Sequence, residues 1–441
     1  MPAQSTAGVV RVEEPSGRQV WIAACASIFG WSLDLFDLFI ILYLAPTIGP
    51  LFFPARSPTL SLAGVYGAFA VTLVMRPAGA ALFGAYADRH GRRRAMTIAV
   101  ISVGLGTALM GAVPTIRQIG VAAPILFLLL RLIQGIFVGG VAASALTVGT
   151  ETVGARWRGL LSGAIAVGAA GLGGLLASGV FLVVSSIFSG PVFTAWGWRV
   201  MFFSGILSSV LGLFIFGALE ESPLWSQLRR DGKKLERAPL RALFSPRYRL
   251  VVLANLAITM GGFSQYYLTL GFLPTFLAVT NHLSRPQLAW ILTLANVVII
   301  VTGTLAGHLS EFTGRRRFFL AIGVVNVMAL PLLYIMLSTL GASSLGEITL
   351  VVLALTIVAN VSYAPVPIFL NERFPTAIRA TGTAICWNVG AAIAGMTPLF
   401  ATTMARNLAG IPHSVAFSIA GAVIIFLIGA LVVPETRGRL E

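Results

Sequence analysis

Apolar stretches long enough to cross a hydrocarbon core of about 30 Å recur along the chain from Trp21 to Val433. Twelve can be counted, near 20–45, 60–83, 96–114, 121–148, 159–186, 198–219, 249–278, 287–309, 318–340, 348–370, 380–404 and 414–433. Inside a bilayer every backbone N–H and C=O must find a partner within the protein, and twelve such segments do so as helices. Composition agrees: 57% of the 441 residues are hydrophobic and 10% are charged, against about a quarter charged in a soluble domain. The expected fold is an all-α membrane protein.

A net charge of +15 points to nucleic acid only if the chain is soluble, so the placement of the charge decides. Of the 30 basic residues, Arg11, Arg18, Arg89, Arg92 to Arg94, Arg156, Arg158, the cluster from Arg229 to Arg249, Arg315 to Arg317, Arg373, Arg379, Arg437 and Arg439 fall on one side of the spans. Only Arg56, Arg117, Arg199, Arg285 and Arg406 fall on the other. The positive-inside rule makes the first group cytoplasmic, with both termini there and an even number of spans. Basicity is therefore topology, with some contact to anionic headgroups, and no nucleic-acid partner is expected. The polar first 18 residues lead into a span too long for a signal-peptide core, so no cleavage is expected. Cys25 and Cys386 sit inside spans and match no metal or redox spacing.

The chain also repeats itself. GAYADRHGRRR at Gly84 to Arg94 returns as GHLSEFTGRRR at Gly307 to Arg317, an offset of 223, and the pair Glu151 and Arg158 returns as Glu372 and Arg379, an offset of 221. LAPT at Leu44 to Thr47 is echoed by FLPT at Phe272 to Thr275. Six spans have been duplicated, which predicts two pseudo-symmetric six-helix bundles, residues 1–220 and 249–441. A cytoplasmic linker, 221–248, joins them and carries both lysines, Lys233 and Lys234.

These residues resemble the major facilitator superfamily. GAYADRHGRRR is similar to its signature between helices 2 and 3, RLIQG at Arg131 to Gly135 to its helix 4 signature, and PETRG at Pro434 to Gly438 to the ending of sugar and metabolite porters. WGWR at Trp196 to Arg199, EESP at Glu220 to Pro223 and FLNERFPTAIRATG at Phe369 to Gly382 look most like the metabolite:proton symporters, which carry carboxylates, shikimate, and proline or betaine. The sequence departs from that group in its first span. Asp34-Leu-Phe-Asp37 is closer to the Asp-Gly-x-Asp of aromatic-acid and sialic-acid symporters, and no acidic residue follows Gly139 and Gly140. The resemblance implies alternating access through a central cavity in a bacterial inner membrane.

Among the 15 acidic residues, only Asp34 and Asp37 lie well inside a span. A charge at mid-membrane costs roughly 2.5–3.5 kcal/mol on insertion scales, so such residues face the bundle interior and have a role. Spaced three apart they share a helix face, and desolvation together with like charge favours the neutral acid, as a proton-coupling pair requires. Their repeat-related positions are Gly262 and Gln265, so only the first half is equipped to titrate. Arg131 and Arg76 are the basic residues within spans. Guanidinium stays charged at any working pH. Arg131 is expected to alternate between Asp37 and a substrate carboxylate, while Arg76 is either a second anion contact or a packing residue. Gln265, Tyr266, Asn296, Tyr363, Trp387 and Asn388 are candidate cavity-lining groups of the second half.

Asp88, Arg89 and Arg92, with Glu311 and Arg315, fall at cytoplasmic helix ends, where acids pair with bases and helix termini. With Glu151 and Arg158, and Glu372 and Arg379, they are expected to form a gate that locks the outward-open state. Glycines crowd the fifth span, at Gly163, Gly168, Gly171, Gly173, Gly174 and Gly179, permitting close helix packing. That span lacks the Gly-Pro of drug antiporters. The histidines lie near span ends, and no HExxH, nucleophile elbow or phosphate-binding loop occurs, so no enzyme, metal or cofactor is expected. The resulting expectation is a monomeric, proton-coupled importer of a small organic anion such as a carboxylate. The alternatives are a zwitterion such as betaine or proline, and a sugar acid or sialic acid.

Overall fold

A computed structural model describes residues 17–90, 92–151, 155–217, 243 and 245–438. The expected linker lies outside these residues except for 243 and 245–248. The described chain folds into twelve spanning helices. The first six are α1 (Gly17–Phe52), α2 (Pro58–His90), α3 (Arg92–Ala112), α4 (Ala122–Glu151), α5 (Arg158–Ile187) and α6 (Phe193–Ile215). The second six are α7 (residues 249–279), α8 (Arg285–Thr313), α9 (Arg315–Ser338), α10 (Leu345–Arg373), α11 (Thr381–Met404) and α12 (Ile411–Val432). Eleven of these are continuous enough and apolar enough to cross a membrane by length and composition alone. The exception is α7, where a π turn over Tyr267–Gly271 separates Arg249–Tyr266 from Leu273–Val279. Apolar side chains face outward, as lipid contact demands: Phe214, Leu250, Leu350 and Val432 are each more than 60% exposed.

Two bundles of six result. Within the first, α2 packs along α4, α3 along α6 and α1 along α5; within the second, α9 and α7 pack along α12, and α8 along α10. The bundles meet where α5 runs beside α8 and α2 beside α11. Since the repeat maps α2 onto α8 and α5 onto α11, these two seams are related by the internal symmetry.

Missing side chains make the seams close. A Cβ on Gly159 would meet the Gly307 carbonyl and the Glu311 side chain, and one on Gly163 would meet the Gly303 and Thr304 carbonyls. This is the small-residue packing expected where no water drives association. Inside the first bundle Gly135 and Gly139 of α4 lie against the backbone of Thr72 and Arg76 of α2. That contact brings the two buried arginines, one on each helix, into the same interior. At the α8–α9 corner Gly314 adopts φ +85°, a left-handed conformation that favours glycine.

Candidate transport site

Asp34 and Asp37 point from α1 into the first bundle, 3% and 1% exposed. Asp34 Oδ2 accepts from Arg76 Nη2 at 3.2 Å, and the Arg76 guanidinium lies 5.7 Å from the centroid of the Trp31 ring. Asp37 Oδ2 accepts from the Ser208 hydroxyl of α6 at 2.7 Å, with Thr107 of α3 beside the same carboxylate. Arg131 donates through Nη1 to Gln134 Oε1 at 2.8 Å, and Gln134 Nε2 donates in turn to Thr107 Oγ1 at 2.6 Å. Four helices thus contribute to one polar network from Arg131 to Asp37. No direct ion pair within 4.0 Å joins the two among the described residues, although each is within electrostatic reach of the other.

Two carboxylates and two guanidiniums occupy this apolar interior, and their formal charges cancel. Satisfaction is incomplete: among the described residues, Nε and Nη2 of Arg131, and Oδ1 of both aspartates, have no hydrogen-bond partner. A buried guanidinium with free donors is poised for an anion, because unpaired buried charge is costly and paired oxygen acceptors restore the balance.

The second bundle supplies neutral groups and rings. Gln265 Oε1 accepts from Asn326 Nδ2 at 2.5 Å, so this amide is engaged within its own bundle. Asn296 Nδ2 reaches across to Tyr43 Oη at 3.1 Å, and Tyr363 donates its hydroxyl to the Ala166 carbonyl at 3.0 Å. Tyr266 Oη, Trp387 Nε1 and Asn388 Oδ1 are buried without partners among the described residues. Trp387 sits between Trp31 of α1, at 5.9 Å between centroids, and Phe263 of α7, at 4.7 Å. Tyr266 touches Phe39 of α1 at 6.2 Å and Tyr363 at 5.5 Å. An aromatic cluster built from both bundles therefore fills the midline beside the Arg76–Asp34 pair.

At the face where α8 ends and α9 begins, Arg315 is fully buried and collects the expected acids. It donates to Glu311 Oε1 at 2.6 Å, to both oxygens of Glu372 at 3.2 Å, and to Ser310. Thr436 donates to Glu372 Oε2 at 2.8 Å. Glu435 accepts the backbone N–H groups of Arg315 and Arg316 at 2.8 and 3.1 Å, capping α9. Burial alone would raise the Glu435 carboxyl, but the backbone donors of Arg437, Arg315, Thr436 and Arg316 outweigh it and hold it below the usual carboxylate range. Arg379 donates to the Phe374 carbonyl at 3.3 Å, and Arg158 is described at the start of α5. The side chains of Asp88, Arg89, Arg92 and Glu151 lie outside the described part of the structure. The bundles are also tied by Ser162, whose hydroxyl donates to the Ala364 carbonyl and accepts from the Ile368 N–H.

Several participants carry no sequence signal. Ser208 and Thr107 are two hydroxyls among many in apolar spans, and only the fold brings them to Asp37. The rings of Trp31 and Phe263 read as ordinary lipid-soluble residues. Gln134 was in view as part of RLIQG, but its bridging role appears only when α3 and α4 are packed together.

The model of the sugar (and other) transporter family matches residues 23–243 and again 243–440. The chain belongs to this family. It is a major facilitator transporter, and members of the family transport rather than catalyse. It is 30% identical to the inner membrane metabolite transport protein YhjE of Escherichia coli K12, over 93% of both chains. It is 28% identical to the glycine betaine/proline/ectoine/pipecolic acid transporter OusA of Dickeya dadantii, over 95% of this chain and 84% of that one. The proline/betaine transporter of Escherichia coli K12 is 27% identical over the same shares. Among solved structures, the proton:xylose symporter XylE superposes with a TM-score of 0.74 at 20% identity, over 96% of this chain and 97% of that one. That likeness concerns the fold alone.

Proposed function

We propose that this transporter couples inward proton flow to uptake of a small carboxylate-bearing solute across a bacterial inner membrane, with its basic face and both termini in the cytoplasm. The observation that carries the reading is the buried Arg131 guanidinium, which has free nitrogens and sits in a shared network with Asp37. Asp37 is the proton carrier and Asp34 its assistant. When Asp37 is neutral the site holds one excess positive charge, and the solute's carboxylate satisfies Arg131. When the solute leaves, Asp37 releases its proton and the interior returns to neutrality. A solute carboxylate that binds only while Asp37 carries its proton is thereby coupled to the gradient.

Within the carboxylate class, a zwitterion of the betaine or proline type is favoured over a plain organic anion. The midline rings Trp31, Trp387, Phe263, Tyr266 and Tyr363 pack against one another in the described state, and an ammonium group taking the place of one of these contacts would meet the recognition mode suited to quaternary nitrogen. Two relatives named for betaine and proline point the same way. The plain anion remains the second reading, because Arg131 and Arg76 would serve it equally well.

The cytoplasmic Arg315 cluster acts as a latch that favours the state closed on that side, and rocking of the bundles exposes the site alternately. Proteoliposomes tested with glycine betaine, proline, succinate and citrate, with and without an inward proton gradient, check the reading. Gradient-driven accumulation of betaine or proline supports it; accumulation of succinate or citrate alone selects the second reading; movement of none rejects both.

A further inference from the structure

A well-defined space lies away from the Asp37 network, at the face opposite the basic loops. It is a cavity of about 490 Å³ between α1, α5, α7 and α8, many times the volume of a solute of a few heavy atoms. Among the described residues Arg285 is the single charged one lining it, alongside the hydroxyls of Thr47, Ser185, Ser189, Thr194 and Ser284. The Arg285 guanidinium stacks 4.4 Å from the centroid of the Phe193 ring and makes one long hydrogen bond, to the Gly190 carbonyl at 3.4 Å. Arg285 also opens α8, a helix of 29 residues with a Ser284–Gln287 capping box, so the positive end of the helix dipole faces the same space. A cation held in place by a ring, with one long hydrogen bond and no carboxylate among the described lining residues, suits an anion.

The floor of the cavity is Tyr43, packed against Phe181 at 6.0 Å between centroids. Its hydroxyl donates to Gly174 at 3.3 Å and accepts from Asn296 at 3.1 Å, bridging the bundles. Beneath Tyr43 the ring of Phe39 follows, 5.6 Å away, and then Tyr266. The cavity is thus joined to the midline cluster through the packed rings of Tyr43 and Phe39. We propose that the cavity is an entry site, in which Arg285 holds the carboxylate of an incoming solute until Tyr43 moves aside. The inference rests on the carboxylate reading given above, but not on proton coupling.

The test uses the full chain in right-side-out vesicles, with Cys25→Ser removing the exposed native thiol and Ser189→Cys placing a reporter in the cavity wall. A membrane-impermeant thiol reagent is applied with glycine betaine, or with choline, which has the same ammonium head and no carboxylate. Betaine is expected to slow labelling at least threefold and choline not at all. Arg285→Gln abolishes the protection, Arg285→Lys retains part of it, and Asp37→Asn leaves it intact. In transport, Arg285→Gln raises KM about five- to tenfold with little change in maximal rate. Equal protection by choline, no protection by betaine, or protection that survives Arg285→Gln overturns the entry site. Protection without gradient-driven uptake defeats the symport reading and leaves the entry site standing; uptake without protection does the reverse.

Discussion

Arg76 of α2 and Asp34 of α1 form an ion pair at 3.2 Å in which each side chain is 1% exposed. The pair joins two helices of the first bundle and is buried in the described state. Removing one partner strands a buried charge, at a cost of about 3–5 kcal/mol, whereas replacing both by apolar groups is close to neutral. Asp34→Ala is therefore expected to lower the melting temperature of the detergent-solubilised protein by many degrees, and Asp34→Leu combined with Arg76→Met to recover most of it. If the double variant keeps transport, Arg76 is a packing residue; if it loses transport, the Asp34–Arg76 pair takes part in transport beyond packing.

Glu435 gives a pH dependence with a defined sign. Its carboxyl is held below the usual value of 4.5, so its cap on α9 stabilises the folded state fully above that pH. The contribution disappears as pH falls through the lowered folded value. Loss of a helix cap costs about 1 kcal/mol. Glu435→Ala should lower thermal stability by a few degrees at pH 7, with the difference from wild type narrowing below pH ~4; a difference independent of pH would show that the cap is not electrostatic.

Much of this arrangement could be read from residues alone. Spans, repeat and two-bundle architecture follow from apolar stretches and one duplicated loop motif, because a bilayer leaves the backbone few alternatives. Asp34, Asp37, Arg76 and Arg131 stood out because charge inside a span is costly. Their pairing could not be read: spacing puts both aspartates on one face of α1, but only the packing of α2, α3, α4 and α6 gives Asp34 to Arg76 and Asp37 to Ser208. The seventh span shows the limit from the other side. Its apolar run is continuous in sequence, yet the backbone passes through a π turn at Tyr267–Gly271, and Pro274 alone does not account for it, since the repeat-related Pro46 lies inside the unbroken α1.

The α5–α8 seam tolerates no added side chain. A Cβ on Gly163 would crowd the Gly303 and Thr304 carbonyls, so Gly163→Val should hold the bundles apart at the basic face. Ser162→Cys, buried in the wild-type seam, is then expected to react at least tenfold faster with a thiol reagent supplied from that side. An unchanged rate would mean the seam yields without opening.

Trp387, between Trp31 and Phe263, tests the aromatic part of the site. A cation–π contact is worth about 0.5–2 kcal/mol. Trp387→Leu should therefore raise KM for glycine betaine several-fold to tenfold, while leaving exchange of any transported plain carboxylate within about twofold. Equal losses for both would reduce the ring to packing.

The central claim is that Asp37 carries the coupled proton, and the most direct measurement compares wild type with Asp37→Asn in proteoliposomes under an imposed inward proton gradient. The account predicts that the variant loses gradient-driven accumulation while still exchanging internal for external solute, because Asn keeps a partner for Ser208 but cannot release a proton. Accumulation undiminished in Asp37→Asn would contradict it.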